Sequence, residues 1–396
     1  MADERGRRPE PIDYRWVDEQ VDLDRIIDDL TNAPRYALDT EFHRERTYYP
    51  RLALIQVAWS GDDGQELALI DPSAVDVSVF EKVFVSDALC VIHAAQQDLD
   101  VLTHAVGAVP RRIFDTQLAA GFTGYGTPSL VSLLQGEVGI TPAKGDRLTD
   151  WLRRPLSEAQ RQYAAVDVEF LLAVETNLRS ELEQTGRLAW AEEAIEELRN
   201  KPVSGANPDD AWLRLKDARS LRPTARAVAR SVAAWRERRA MRTDVPVRHV
   251  LSDLAILGVS QRAPSTTSEL SQARGVDERH SRGAIADEIL VAVAAAKGAK
   301  PPDAPKSNDD LDRNLRPAVA LITAWVAQLA RDERIDTALL ATRADIVALL
   351  RGDDDARLAV GWRGALLGDG IRDLVGGRSG LTFDGAGRLE LVDVGS

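Results

Sequence analysis

Hydrophobic and polar positions recur along this chain with two different periods, and the change of period divides it. From residue 13 to about 200, short β-rich runs alternate with stretches of helical periodicity, the pattern of an α/β domain. Five runs are predicted strands: 36–42, 52–59, 67–71, 89–93 and 112–115. The first three follow one another with little between them, which predicts an antiparallel meander. The last two are separated by a helical stretch, which predicts parallel pairing. From Ser157 the pattern turns helical and stays so to about Asn200, with Ser157 as the expected N-cap after Pro155.

Beyond this point the strand period does not return until the end. KPVSGANPDD, at 201–210, has the composition of a linker. Residues 212–297 read as helices only, with turn signals at Pro246 and Pro264 and a capping box expected from Thr266 and Glu269. A second linker, GAKPPDAPKSNDD at 298–310, leads into 311–396, again mostly helical and closing in a small hairpin around 384–387. AWRERRAMRTDVP from Ala234 resembles AWVAQLARDERID from Ala324 at an offset of 90 residues, so two copies of one helical module are expected. Residues 1–12 read as a flexible tail.

Composition narrows the class. The chain of 396 residues has room for two or three domains, and 44% of it is hydrophobic without any run long enough to cross a bilayer. The N-terminal MADERGRRPEPID lacks the apolar centre of a signal peptide, so a soluble, cytoplasmic protein without a membrane partner is expected. A single cysteine excludes an internal disulfide framework and a cysteine-built zinc site, and Cys90 in LCVIH reads as a buried small residue. The net charge of −13 is unevenly spread. Residues 211–300 hold 17 Lys and Arg against 9 Asp and Glu, a net +8, which leaves −21 on the remainder. A basic module in an acidic chain suits a phosphate backbone, and a solvated Arg-rich helical surface accounts for the same numbers.

Candidate chemistry begins in YALDTEFHRERTYYPRLALIQVA. Residues two apart on a strand project from one face, so Asp39 and Glu41 point the same way. Like charges that close repel unless a cation lies between them. In VIHAAQQDLDVL, Asp98 falls in the first turn of a helix that follows a strand; Asp100 lies about 200° around that helix and faces elsewhere. In QYAAVDVEFLLAV, Tyr163 and Asp167 are four apart on a helix and share a face, one expected to look into the core with Phe170 and Leu171. Each alone has an ordinary reading: strand-end acids, an acid favoured by a helix dipole, a Tyr–Asp hydrogen bond. Together, four acids and a tyrosine on inward-facing elements suit two divalent cations that flank a scissile phosphate. Hard oxygen ligands favour Mg²⁺ or Mn²⁺ over zinc.

LDTEF, HAAQQDL and YAAVD, in this order, resemble the three exonuclease motifs of the DEDD superfamily, and a tyrosine four before the last Asp resembles its DEDDy branch. The phrases LDTEFHRERTYYPRLALIQ, LIDP, DTQLAA and TDWLRRPLSEAQRQYAAVDV are similar to the ribonuclease D family across nearly all of 13–200. That resemblance implies an RNase H-like exonuclease domain over 13–205, a mixed sheet flanked by helices. It implies Asp39, Glu41, Asp98 and Asp167 as ligands of two metal ions and Tyr163 as the residue that orients the attacking water. The implied activity is a 3′→5′ exoribonuclease releasing nucleoside 5′-monophosphates from a free RNA 3′ end, tRNA precursors included. ARSLRPTARAVARSVAAWRERRAMRTDVPVRHVLSD resembles an HRDC domain, which implies an all-α HRDC module over 212–297 and a divergent second one over 311–396, where GWRGALLGDGI matches best.

Substrate contacts are expected from the loop RERTYYP at 44–50, with Arg44 and Arg46 meeting phosphate and Tyr48 or Tyr49 stacking on a base. Lys144, in TPAKGDRLTDW, matches a basic position of the family. Trp151, Pro155 and His93 read as structural, and Asp115 and Gln117 as helix caps. No protein partner is implied. The site does not separate ribose from deoxyribose, so a DNA 3′→5′ exonuclease is a rival. A non-catalytic RNA-binding adaptor is another, and the presence of all five site residues counts against it.

Overall fold

In the computed structural model, which describes residues 11–61, 64–142, 149–201, 207–304 and 311–394, the N-terminal part is built on one mixed sheet. Its strands are β1 (Arg15–Val17), β2 (Arg35–His43), β3 (Arg51–Gly61), β4 (Gly64–Ile70), β5 (Leu89–Ile92) and β6 (Arg112–Asp115), in the order β1-β4-β3-β2-β5-β6. The meander β2-β3-β4 is antiparallel and β5 runs parallel to β6, as the strand spacing predicts; β5 also pairs in parallel with β2. β1 was not anticipated. It spans three residues, too few to show a period, and joins the edge of the sheet parallel to β4, Arg15 opposite Ala68. Ile12, in the stretch expected to be a flexible tail, exchanges two hydrogen bonds with the Gln162 side chain, 2.8 and 2.9 Å.

Helices cover both faces, which is why β3 is buried continuously from Ala53 to Trp59. Ala37, Leu54, Ala58, Leu67 and Leu69 face the helices Glu158–Glu169, Leu171–Gln184 and Leu188–Arg199. Tyr36, Leu38, Ile55, Val57, Ala68 and Ile70 face the helices Gln20–Asn32 and Gln96–Ala105 on the other side. Ser157 closes a capping box with Gln160 at the start of Glu158–Glu169. That helix ends sooner than its periodicity predicts. The chain breaks at Phe170 and a new helix starts at Leu171, so these two residues do not continue the Tyr163–Asp167 face. The innermost positions of Glu158–Glu169 are Ala164, Ala165 and Val168, while Tyr163 and Asp167 are half-buried at its flank.

The helical part contains a repeat in space as well as in sequence. Pro223–Thr243 ends on Asp244 in the left-handed conformation, φ 47°, and Arg316–Glu333 ends on Arg334, φ 53°, 90 positions later. The short helices Val247–Val250 and Thr337–Leu340 keep the offset, as do Asp253–Arg262, capped by Ser252, and Arg343–Arg351, capped by Thr342. After these the two diverge. Residues 283–296 form one regular helix, whereas 361–375 pass through a π-helical segment, Gly364–Gly368. Thr266 caps its helix as expected, but the Glu269 carboxylate accepts from Ser265 N–H, one residue before the box. The terminal hairpin pairs β7 (Ser379–Phe383) with β8 (Leu389–Asp393). No helix among the described residues is long and apolar enough to cross a membrane.

The two copies pack differently. Residues 211–296 enclose a core of their own, built from Trp212, Leu251, Ile256, Leu270, Ile289 and their neighbours. The second copy shares the core of the sheet domain. Trp362 stacks on Trp190 with centroids 4.9 Å apart and meets Phe122 edge-on at 5.4 Å. The two parts approach closely at two glycines. A Cβ at Gly121 would lie 2.5 Å from Leu339 Cδ1, and Gly124, φ 105°, would crowd the Arg334 guanidinium. Arg334 donates to Thr123 O at 3.0 Å, and Asp336 N–H to Gly121 O at 2.7 Å.

Truncating this seam removes a large buried ring. Trp362→Ala is expected to cost about 3 kcal/mol. A urea titration followed by far-UV circular dichroism should move its midpoint down accordingly; an unmoved midpoint would mean the seam is not formed.

Candidate active site

Asp39 and Glu41 project from one face of β2, Asp39 opposite Gln56 and Glu41 opposite Leu54 across the β2–β3 ladder. Directly after Glu41 the ladder slips: Phe42 pairs with Leu52, which leaves Ala53 as the extra residue of a β-bulge. Bulges re-aim the side chains beside them. The bulge is gripped from outside. Arg154 donates to Ala53 O at 2.6 Å and makes a two-pronged contact with Asp71 at the end of β4, 2.6 and 2.8 Å. Thus LIDP and TDWLRRP, far apart in sequence, close on the same strand end.

Asp167 reaches the two β2 acids from the Glu158–Glu169 helix. One carboxylate oxygen from each of Asp39, Glu41 and Asp167 lies within 4.8 Å of the others. Tyr163, one turn before Asp167, stands beside the Trp151 ring, centroids 6.1 Å apart. Trp151, which the sequence presents as merely structural, thus supports the tyrosine.

Asp98 arrives from the other helical layer and is not one of this group of three. It is buried in the first turn of Gln96–Ala105, and its Oδ1 accepts from the Thr40 hydroxyl at 2.5 Å. The turn leading to it contains Ala94 at φ 58°, a conformation a non-glycine residue adopts only when held. Asp115 holds it. Its buried carboxylate accepts from Ala94 and Ala95 N–H and, as the sequence predicts, caps the next helix through Gln117 and Leu118 N–H. Thr40, Asp115, Arg154 and the fully buried Gln56 opposite Asp39 were not picked out as site residues. The available signal was positional: Thr40 sits between the two acids of LDTEF.

Burial and mutual repulsion set the protonation of the cluster. Asp39 is pushed well above its ordinary range, first by burial and then by Asp98, Asp167 and Glu41. Glu41 is pushed up to about 8, by burial and then by Asp167 and Asp98. Burial raises Asp98 too, and the Thr40 hydroxyl offsets part of that. The strongest neighbours of Asp39 are therefore three more acids. An all-oxygen donor set in which like charges crowd together fits hard divalent cations.

The expected substrate residues have varied surroundings. Arg44 is exposed and pairs with Asp100 at 2.8 Å; Arg46 is exposed. The Tyr48 hydroxyl donates to Glu237 at 2.6 Å, and the Tyr49 ring lies 4.6 Å from that of His104. Lys144 lies outside the described residues. His93 bonds Thr116 through Nδ1 at 2.9 Å, and burial drives its pKa down to about 4, so it is a neutral structural histidine.

Known proteins resemble this chain over most of its length. Residues 14–183 match the 3′–5′ exonuclease family and residues 225–293 the HRDC domain. Ribonuclease D of Jannaschia sp. (strain CCS1) is 36% identical over 367 residues, 91% of this chain and 95% of that protein. Ribonuclease D of Acidiphilium cryptum (strain JF-5) is 34% identical over 394 residues, 98% of each. The crystal structure of Escherichia coli RNase D, an exoribonuclease involved in structured RNA processing, superposes with a TM-score of 0.81 at 30% identity, covering 92% of this chain and 99% of that one.

The raised acids make stability depend on pH. Unfolded, Glu41 loses its proton near 4.5; folded, it keeps it to about 8. The folded state thus binds the extra proton between these values, and stability falls as pH rises through that window. In EDTA, the melting temperature is expected to be lower at pH 8.5 than at pH 5.5, with a flatter profile for Glu41→Gln. Saturating Mn²⁺ should raise it most at the higher pH. Parallel profiles for the two proteins would show that the acids do not repel in the folded state.

Proposed function

The chain belongs to the ribonuclease D family, and we propose that it trims the 3′ ends of stable RNAs, tRNA precursors among them, in the cytoplasm and with two divalent ions, Mg²⁺ or Mn²⁺. It is a 3′–5′ exoribonuclease, a hydrolase of phosphodiester bonds that acts in RNA processing. The observation that carries the proposal is the convergence of Asp39, Glu41 and Asp167 within 4.8 Å, with Tyr163 one helical turn away.

In the proposed reaction, Asp39, Glu41 and Asp167 would hold the ions, with Asp98 completing the set from the opposite layer; bound there, such ions would supply a water of lowered pKa and offset charge on the leaving oxygen. Tyr163 accepts or donates a hydrogen bond to the attacking water and fixes its line of approach to the terminal phosphorus. A bond forms from the water oxygen to phosphorus, the bond from phosphorus to the 3′-oxygen of the preceding nucleotide breaks, and a nucleoside 5′-monophosphate leaves. Thr40 keeps Asp98 in its rotamer, and Trp151 limits the swing of the Tyr163 ring.

The exonuclease domain is assigned to 13–205, an HRDC module to 212–297 and a divergent second module to 311–396. The 90-residue offset of three successive helices supports the last assignment. In this reading Arg44, Tyr48, Tyr49 and Lys144 border the RNA path, and the basic first module steers structured RNA toward it.

A 5′-labelled RNA hairpin with a 3′ tail should shorten from its 3′ end in Mn²⁺ or Mg²⁺, faster than a matched DNA, and not at all in EDTA or with Asp39→Ala. Tyr163→Phe is expected to lower kcat by about 10²-fold while RNA affinity holds. Tight RNA binding without shortening under either metal would replace this reading with that of an RNA-binding adaptor.

A further inference from the structure

The loop 44–50 starts three residues after Glu41 and is anchored on one side to the helix that carries Asp98, through Arg44–Asp100 and Tyr49 against His104. Its other anchor belongs to a different domain. Asp244 Oδ1 accepts from two successive backbone N–H groups of the loop, Tyr48 at 3.0 Å and Tyr49 at 3.1 Å. The Tyr48 hydroxyl donates to Glu237, a carboxylate only 2% exposed that also pairs with Arg214 at 2.7 Å. Glu237 and Asp244 are seven residues apart, two turns of the long helix Pro223–Thr243 and its cap, so they present one face to the loop.

Two features set this contact apart from ordinary domain packing. A charged acceptor shared by two consecutive backbone donors fixes the loop's main chain and not merely a side-chain rotamer. Second, the left-handed elbow at 244 has a counterpart 90 residues on. Arg334 uses the same conformation to grip the sheet domain with the opposite polarity, donating to Thr123 O. The elbow is thus where each helical module takes hold of the domain, and in the first copy it holds the loop beside the metal acids.

We propose that Asp244, supported by Glu237, is a positioning residue for the exonuclease reaction: from the helical module it fixes the 44–50 loop, and with it Arg44 and Arg46, at the edge of the RNA path. This rests on the exoribonuclease reading above. The HRDC module thereby acts on substrate binding in the site itself, in addition to any contact it makes with RNA.

The test uses the full chain and two substitutions chosen for the left-handed backbone. Asp244→Gly removes the acceptor and suits φ 47°; Asp244→Asn keeps an acceptor oxygen and tolerates the same φ. Amide hydrogen exchange of the 44–50 segment should quicken in Asp244→Gly and stay near wild type in Asp244→Asn. With the tailed RNA hairpin, Asp244→Gly should raise KM on the order of tenfold, with a much smaller change in kcat, and Asp244→Asn should restore KM. Unchanged exchange in Asp244→Gly, faster exchange with unchanged KM, or equal behaviour of the two variants would each overturn the proposal. A wild-type protein that fails to shorten RNA would sink the nuclease reading separately. Exchange rates and filter-binding affinities of the variants for the same hairpin in EDTA would then still decide whether Asp244 shapes the RNA path.

Discussion

Repulsion among crowded, half-buried carboxylates is the constraint around which the sheet domain is arranged. Asp39, Glu41 and Asp167 are brought within 4.8 Å of one another, with Asp98 close enough to raise Asp39 and Glu41 further. Left to themselves the side chains would turn apart or keep their protons. The backbone elements that carry them must therefore be held by interactions that do not involve the acids. Burial of β2 and β3 between two helical layers provides that hold through apolar contacts on both faces.

Two polar clasps complete it. Arg154 ties the end of β4, the β3 bulge and the Trp151 turn together, so the strand paired with that of Glu41 is joined to the turn that supports Tyr163. Asp115 uses a single buried carboxylate to cap one helix and to hold the left-handed Ala94 turn that launches the Asp98 helix. Both grip backbone, Arg154 the Ala53 carbonyl and Asp115 the Ala94 and Ala95 N–H groups. Their effect is on where the acids can go, which matters in a site whose ligands resist being placed together.

The helical modules show how one structural device is used twice. Each ends its long helix on a left-handed residue, and each such elbow faces the sheet domain. Copy two merges with that domain into one apolar core. Copy one keeps its own core and joins the sheet domain through polar contacts at the 44–50 loop. A small polar contact is easier to displace than a shared core.

The five strands, the antiparallel meander of the first three, the parallel pairing of the last two, the helix after Ser157, the helical repeat and the three acids that converge were legible in the sequence. Each depends on periodicity, capping or short motifs, which act over a few residues and leave a local signature. Other features had no such signature. β1 is too short to show a period and exists because β4 offers it an edge. The end of the Tyr163 helix at Phe170 interrupts a periodicity that would allow it to continue. The Arg154–Asp71 clasp, the Thr40–Asp98 hydrogen bond and the engagement of Tyr48 by Glu237 join residues between 58 and 189 positions apart. Contacts of that range are selected by how layers and domains pack, since any arginine or tyrosine in those loops reads alike until its neighbour in space is known. The sequence by itself determined which candidate groups the chain offers for chemistry; the tertiary structure decided what holds them and which domain has a grip on the loop beside them.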